Sequence, residues 1–324
     1  MYKFLKNKLF SFLIVSLLFS CGFKEKIHKR TTISMGTIVE IQVVTNDVTL
    51  ADKAIDSAFA EVQRINDKYT VYNKNSYLNQ INSSDTFQLD EETYFLFKKC
   101  EYYHNLTKGA FDPAIGNVIK ALGFEDSPGQ EIPVDSIRNF IQHNNWKLIQ
   151  LTDDRKIVKP KEVRINFGAI AKGYAVDRMF DILKSFGLKV FLVNAGGEIK
   201  CTGKIWEIGI QHPRDKAKII GILKIKDLSV ATSGDYERYK IKNGKRINHI
   251  INPITGKISD ECSSVTIITE NTIDADALAT AIFVLGPKDG LYLLEKIPKC
   301  EAFIIDSSGN IFKTKGIDKF YVAN

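Results

Sequence analysis

The 324-residue sequence predicts an α+β fold with mixed, largely antiparallel sheets and flanking helices. Two observations carry this reading. Beyond Gly203 the chain is a succession of short β-type runs separated by turns and interrupted by one long helical stretch. Strands and helices alternate regularly only in a central unit around Val163–Gly203, so a regularly wound parallel sheet is not expected. With 44% hydrophobic residues, the chain can bury the core of one large domain or two closely packed ones.

The first element is an export signal. Met1 to Ser20 carries Lys3, Lys6 and Lys8, no acid, and an apolar run from Leu9 to Phe19 that is too short to span a membrane. It ends in Leu-Phe-Ser-Cys-Gly, which resembles a bacterial lipoprotein processing site with Cys21 as the lipidated first residue; the alternative is a conventional signal with an incidental cysteine. The expected organisation is thus a signal peptide over 1–20, a lipidated (palmitate-bearing) cysteine and polar tether over 21–30, and a folded body over 31–324. Removing the three signal lysines lowers the formal charge from +7 to +4, and the remaining lysines are scattered, so no nucleic-acid partner is expected. Export permits disulfides among Cys100, Cys201, Cys262 and Cys300, but their long irregular spacings and the lack of C-x-x-C indicate neither zinc nor thiol catalysis.

Thr32 to Val44 reads as a strand interrupted at Met35-Gly36-Thr37. Leu50 to Asp67 places Ala54, Ala58, Val62 and Ile65 at helical spacing. Tyr69 to Asn82 is an irregular loop leading into a short turn of helix, Asp90 to Thr107 a second helix, and Ala110 to Pro113 a loop. A linker and one helix are expected over Ser127 to Gln142, then a hairpin-like pair, Trp146–Leu151 with Lys156–Lys159. In the central unit, Val163–Phe167 reads as a strand, Gly168 as a tight turn, Tyr174, Met179, Phe180, Leu183 and Phe186 as the apolar face of a helix stopped by Gly187, and Lys189–Asn194 as a second strand. Further strands are expected at Glu207–Gln211, Gly221–Ile225, Leu228–Thr232, Glu237–Ile241 and Val265–Thr269. A helix follows in TIDADALATAIFVLG, ended by Gly286-Pro287, then a short helix over Gly290–Glu295 and a hairpin from Ala302–Ile305 and Asn310–Thr314.

The glycine turn before a helix suggests either anion binding or an ordinary βαβ unit; GAIAKG matches neither G-x-G-x-x-G nor G-x-x-x-x-G-K-[ST]. Asp276 and Thr280, four apart on one helix face, can offer oxygens to a hard cation such as magnesium, or be a dipole-stabilising Asp and a packed Thr. His249 is either structural or a proton-transfer group. Tyr72 and Phe111 suit a planar ligand or the core. Asp112, before a proline, can accept hydrogen bonds.

These stretches together resemble the FAD:protein FMN transferases, the ApbE-like family of exported lipoproteins. MGT at Met35, YNKNSYLNQIN from Tyr72, GAFDP at Gly109, INFGAIAKGYAVD at Ile165, LVNAGGEI at Leu192, ATSGDYERY at Ala231, HIINPITG at His249 and DADALATA at Asp274 follow in order. The resemblance implies a T-fold-like architecture and transfer of FMN from FAD to a threonine hydroxyl of a partner protein, with magnesium as cofactor and AMP released; the alternatives are hydrolysis of FAD to FMN and AMP, or binding without catalysis. It implies metal ligation by Asp276, Thr280 and the carbonyl of Ala169. It also implies flavin or phosphate contacts from Met35, Tyr72, Ala110, Phe111, Asp112, Asn166, Lys172 and the backbone near Ile251, with His249 as the candidate base. The implied partner is an exported, threonine-bearing subunit of a membrane redox complex, and the implied location is the periplasmic side of a membrane, held by the lipid. Asn166 and Asn252 stand where many members have Asp, which keeps an acceptor oxygen but loses the charge.

Overall fold

The computed structural model describes residues 26–125, 141, 145–242 and 245–323. The predicted signal over 1–20, Cys21, most of the tether and nearly all of the expected Ser127–Gln142 helix lie outside the described residues. An eight-stranded sheet forms the frame, in the order β1 (Ile27–Ser34), β2 (Thr37–Val44), β6 (Phe191–Ala195), β7 (Glu198–Thr202), β10 (Ser229–Gly234), β13 (Cys262–Thr269), β14 (Glu301–Asp306), β15 (Ile311–Lys313). Every neighbouring pair is antiparallel.

Antiparallel sheets commonly leave one face wet, but the central strands of this one are buried on both. Helices α1 (Val48–Tyr69), α5 (Ala171–Ser185) and α6 (Thr272–Leu294) cover one face and share a core with Phe191, Val193, Ala231, Val265, Ile267, Ala302 and Ile304. The alternate residues Leu192, Val230, Ile268, Phe303 and Ile305 point to a second core under a three-stranded sheet of β8 (Trp206–His212), β9 (Asp215–Ile225) and β16 (Tyr321–Ala323). All eight residues of β13 are consequently buried. Each large side chain so buried stabilises the fold by about 1.5–3 kcal/mol before entropy is counted. Helix α6 is long and apolar enough to cross a membrane, yet it packs on β10 and β13 in the interior.

The helical readings of α1, α3 (Glu91–Leu106) and α5 agree with the structure. The interruption expected at Met35-Gly36-Thr37 within Thr32–Val44 is the turn of a hairpin, β1 and β2, closed by Met35 (φ 52°) and Gly36 (φ 72°), the two positive-φ residues that a tight right-twisted hairpin needs. Several other strand readings differ from the structure. Strand β1 begins at Ile27, inside the span read as tether. Val163–Phe167 joins no sheet: Arg164 makes an isolated parallel bridge to Ile115, and Ile165 spends its N–H and C=O on the Asn82 side chain (2.7 and 3.0 Å). The central unit is therefore not βαβ. Trp146–Leu148 is a 3-10 turn, with only Gln150–Leu151 (β4) pairing β5 (Lys156–Val158), which also pairs β3 (Thr86–Gln88). At Gly286 (φ 78°) the backbone of α6 leaves helical geometry, as the Gly286-Pro287 stop predicts, and a second helical segment follows past the kink. Gly196-Gly197 proves to be the turn of a β6–β7 hairpin. Cys100, Cys201, Cys262 and Cys300 are buried free thiols, with no disulfide among the described residues.

Candidate functional site

Between the α1–α5–α6 layer and the loops around Ala110 and His249 lies a cavity of about 450 Å³. Met35, Tyr72, Ala110, Phe111, Asp112, Asn166, Ala169, Lys172, His249, Ile251, Asp276 and Thr280 all line it. Chain segments more than two hundred residues apart thus meet around one space.

The cavity floor is set by the crossing of α5 and α6. Gly173 permits it, since a Cβ there would meet the Thr272 carbonyl oxygen at 2.4 Å and the Asp276 Cβ at 2.7 Å. The Gly173 N–H donates to Asp276 Oδ2 (2.8 Å), and no N–H among the described residues is bonded to the Ala169 carbonyl, the acceptor one helical turn earlier. One hydrogen bond therefore fixes the Asp276 carboxylate and leaves the Ala169 oxygen open. Asp276 Oδ1 has no hydrogen-bond partner among the described residues, and burial pushes its carboxyl up. Thr280, one turn further along α6, touches the Ser233 hydroxyl (3.3 Å). A carboxylate oxygen, a hydroxyl and a carbonyl oxygen form a hard-donor set that suits a magnesium ion retaining water and phosphate ligands. Among the described residues there is no cluster of three His, Cys, Asp or Glu for a softer metal.

Beside this lies an ion pair not named from the sequence. Lys172 Nζ bonds Glu198 Oε1, while the buried Glu198 Oε2 has no partner. Burial works against a charged Lys172, but Glu198, Asp276 and Glu237 outweigh it and hold the ammonium above its ordinary range. Burial likewise raises Glu198 to about 8, against the pull of Lys172. Both glutamates sit in stretches singled out in the sequence, LVNAGGEI and ATSGDYERY, but no spacing marked them individually.

Asp112 lines the wall with both oxygens already engaged, Oδ1 by the Ala114 N–H (2.8 Å) and Oδ2 by the Trp146 N–H (3.1 Å). It pins the Ala110–Pro113 loop. Phe111 is fully buried against Tyr103, whereas Tyr72 is 48% exposed and free to meet a ligand. Asn166 Oδ1 accepts the Gly168 N–H (2.8 Å) and its Nδ2 donates to Glu125 (3.2 Å), which Arg164 also holds. Asn252 Oδ1 accepts the N–H groups of Ile254 and Thr255, so it builds the NPITG turn and does not reach into the cavity. His249 is bonded through Nδ1 to the Arg238 carbonyl (3.1 Å); that bond places its proton on Nδ1 and leaves Nε2 as the acceptor. Burial depresses the imidazole to about 4, so it is neutral and basic in form at neutral pH.

The ApbE family model matches residues 35–304. An FAD:protein FMN transferase of Vibrio cholerae is 30% identical over 280 residues, 81% of this chain and 82% of its own. A Treponema pallidum protein of the same name is 27% identical over 92% of this chain and 90% of its own. The crystal structure of the ApbE protein of Thermotoga maritima superposes with a TM-score of 0.85 at 31% identity, over 91% of this chain and 99% of its own. The flavinyl transferase ApbE of Pseudomonas stutzeri gives 0.81 at 26%, over 93% and 99%.

Proposed function

From the premise that the chain belongs to the ApbE family, we propose that it is an FAD:protein FMN transferase acting with magnesium on a threonine hydroxyl and releasing AMP. The observation that carries this reading is the donor set on the cavity floor, in which Ala169, Asp276 and Thr280 are brought together from both sides of the α5–α6 crossing. Asp276 Oδ1, the Thr280 hydroxyl and the Ala169 carbonyl would hold the magnesium. When bound, that ion neutralises charge on the pyrophosphate oxygens.

The residues divide the remaining work. Nε2 of His249 takes the proton of the acceptor hydroxyl, whose oxygen forms the new bond to the FMN phosphorus as the bond from that phosphorus to the AMP oxygen breaks. Tyr72 and Met35 border the flavin at the mouth, and the buried Phe111 and Ala110 shape the wall. The acceptor belongs to an exported subunit of a membrane redox complex, reached by an enzyme held at the periplasmic side through lipid on Cys21.

The test incubates the mature protein with FAD, magnesium and a threonine-bearing exported candidate, following AMP and flavin fluorescence on a denaturing gel. AMP with a labelled partner is the expected result. AMP with free FMN assigns hydrolysis instead, and neither product removes the catalytic reading. Mass analysis of the amino terminus tests the lipid on Cys21.

A further inference from the structure

We propose that Arg238 is the cavity's receptor for a phosphate group of the bound nucleotide, an assignment that rests on the FAD reading above. Five carboxyl side chains line the cavity, those of Asp112, Glu125, Glu198, Glu237 and Asp276, against two basic ones, Lys172 and Arg238. A pyrophosphate entering so acidic a space needs a protein cation whose donors are free to turn to it. Lys172 Nζ is already bonded to Glu198. Arg238 has no ion pair among the described residues; its one side-chain hydrogen bond runs from Nη2 to the Tyr72 hydroxyl (3.2 Å).

That bond aims the guanidinium across the mouth, beside Gly36, whose missing Cβ would lie 3.8 Å from Nη2. The rest of the fork of N–H donors remains available, and its planar geometry matches two phosphate oxygens at once. The main chain of the same residue fixes its place relative to the reacting centre. The Arg238 carbonyl accepts both the His249 backbone N–H and Nδ1, each at 3.1 Å. Arg238 and His249 are therefore tied together through one backbone carbonyl, and both line the same cavity.

The chemistry recognised is a phosphate oxyanion of the dinucleotide's pyrophosphate, for which the phosphomonoesters AMP and FMN stand in as its two halves. The test compares wild type, Arg238→Gln and Arg238→Lys in EDTA, where no turnover intervenes, titrating AMP against adenosine and FMN against riboflavin by calorimetry. Wild type is expected to prefer at least one phosphorylated ligand by roughly tenfold or more over its dephosphorylated counterpart. Arg238→Gln is expected to remove most of that preference while leaving adenosine and riboflavin affinities unchanged, and Arg238→Lys to keep part of it. Loss in the AMP pair places Arg238 on the leaving phosphate; loss in the FMN pair places it on the transferred one. An unchanged preference in Arg238→Gln, no preference in wild type, or an equal loss of affinity for all four ligands overturns the assignment. Wild type that binds neither FAD nor any fragment overturns the FAD reading and this one with it.

Discussion

At the scale of single residues, the site is built from side chains whose protonation and partners are set by burial. Asp276→Asn keeps the size and the bond from Gly173 through its amide oxygen but removes the charge a cation needs. Magnesium-dependent AMP release should fall by about a hundredfold or more, while FAD affinity in EDTA changes little; unchanged turnover would contradict the ligand role. His249→Ala should slow transfer by roughly 10²–10⁴-fold with magnesium affinity retained. Because the imidazole is depressed to about 4, the acid limb that it governs in the wild-type kcat/KM profile belongs near that value, and a limb at the ordinary histidine position that survives His249→Ala would argue against the base. Asn166 answers differently. Its Nδ2 donates to Glu125, so Asn166→Asp sets two carboxylates against each other in a partly buried place. The melting temperature should drop by an amount corresponding to about 1 kcal/mol, and Glu125→Gln in the same chain should restore it; a drop that persists in the double variant excludes the pairing.

At the scale of elements, the link that bears on the site is the α5–α6 crossing. Asp177 on α5 accepts the N–H groups of Thr272 and Ile273 (3.0 and 2.9 Å), capping α6 from a neighbouring helix where no side chain of its own N-cap residue does so. Gly173 sits in the same contact, and Gly173→Ala drives a methyl into the Thr272 carbonyl. Overpacking of this kind costs about 1–3 kcal/mol. The displaced helix should also weaken magnesium binding, which calorimetry reads separately from a thermal melt; a destabilised variant with unchanged magnesium affinity would show that the crossing does not set the donor geometry. The helices were legible in the sequence because their apolar spacing is local: Ala54, Ala58, Val62 and Ile65 are all buried in α1. Val163–Phe167 misled for the opposite reason. Its β-type composition satisfies a core, but its hydrogen bonds go to Asn82 and Pro113, distant partners that no local period encodes. The cavity residues were legible only as an ordered set of motifs, and Arg238 and Glu198 within those motifs acquired meaning from their neighbours in space.

At the scale of the whole molecule, a sheet whose central strands are buried on both faces supports a cavity that gathers more acid than base, which couples stability to pH and, under the proposed function, to magnesium. Glu198 is raised from its ordinary value to about 8, and Asp276 is raised in the same direction. A carboxyl raised in the folded state contributes stability that is fully present below its unfolded value, about 4.5 for Glu198, and is lost as pH climbs through the folded one. His249 works from the other side: lowered to about 4, it contributes stability present above the ordinary histidine value of 6.5 and lost as pH falls through the folded one. In EDTA the melting temperature should therefore decline as pH rises from 6.5 to 8, a window in which His249 is neutral in both states and the carboxyls must lose protons inside the fold. Under the proposed function magnesium would bind the folded state and compete with protons for Asp276, so its addition should raise the melting temperature more at pH 8 than at the acid end of that window. Glu198→Gln should lessen the decline in EDTA while keeping the magnesium response, because it removes one of the titrating carboxyls, Glu237 and Asp276 being raised as well, but none of the three donors. A decline of equal slope in Glu198→Gln would assign the pH dependence to another group, and a magnesium response absent at pH 8 would remove the cation from the cavity floor.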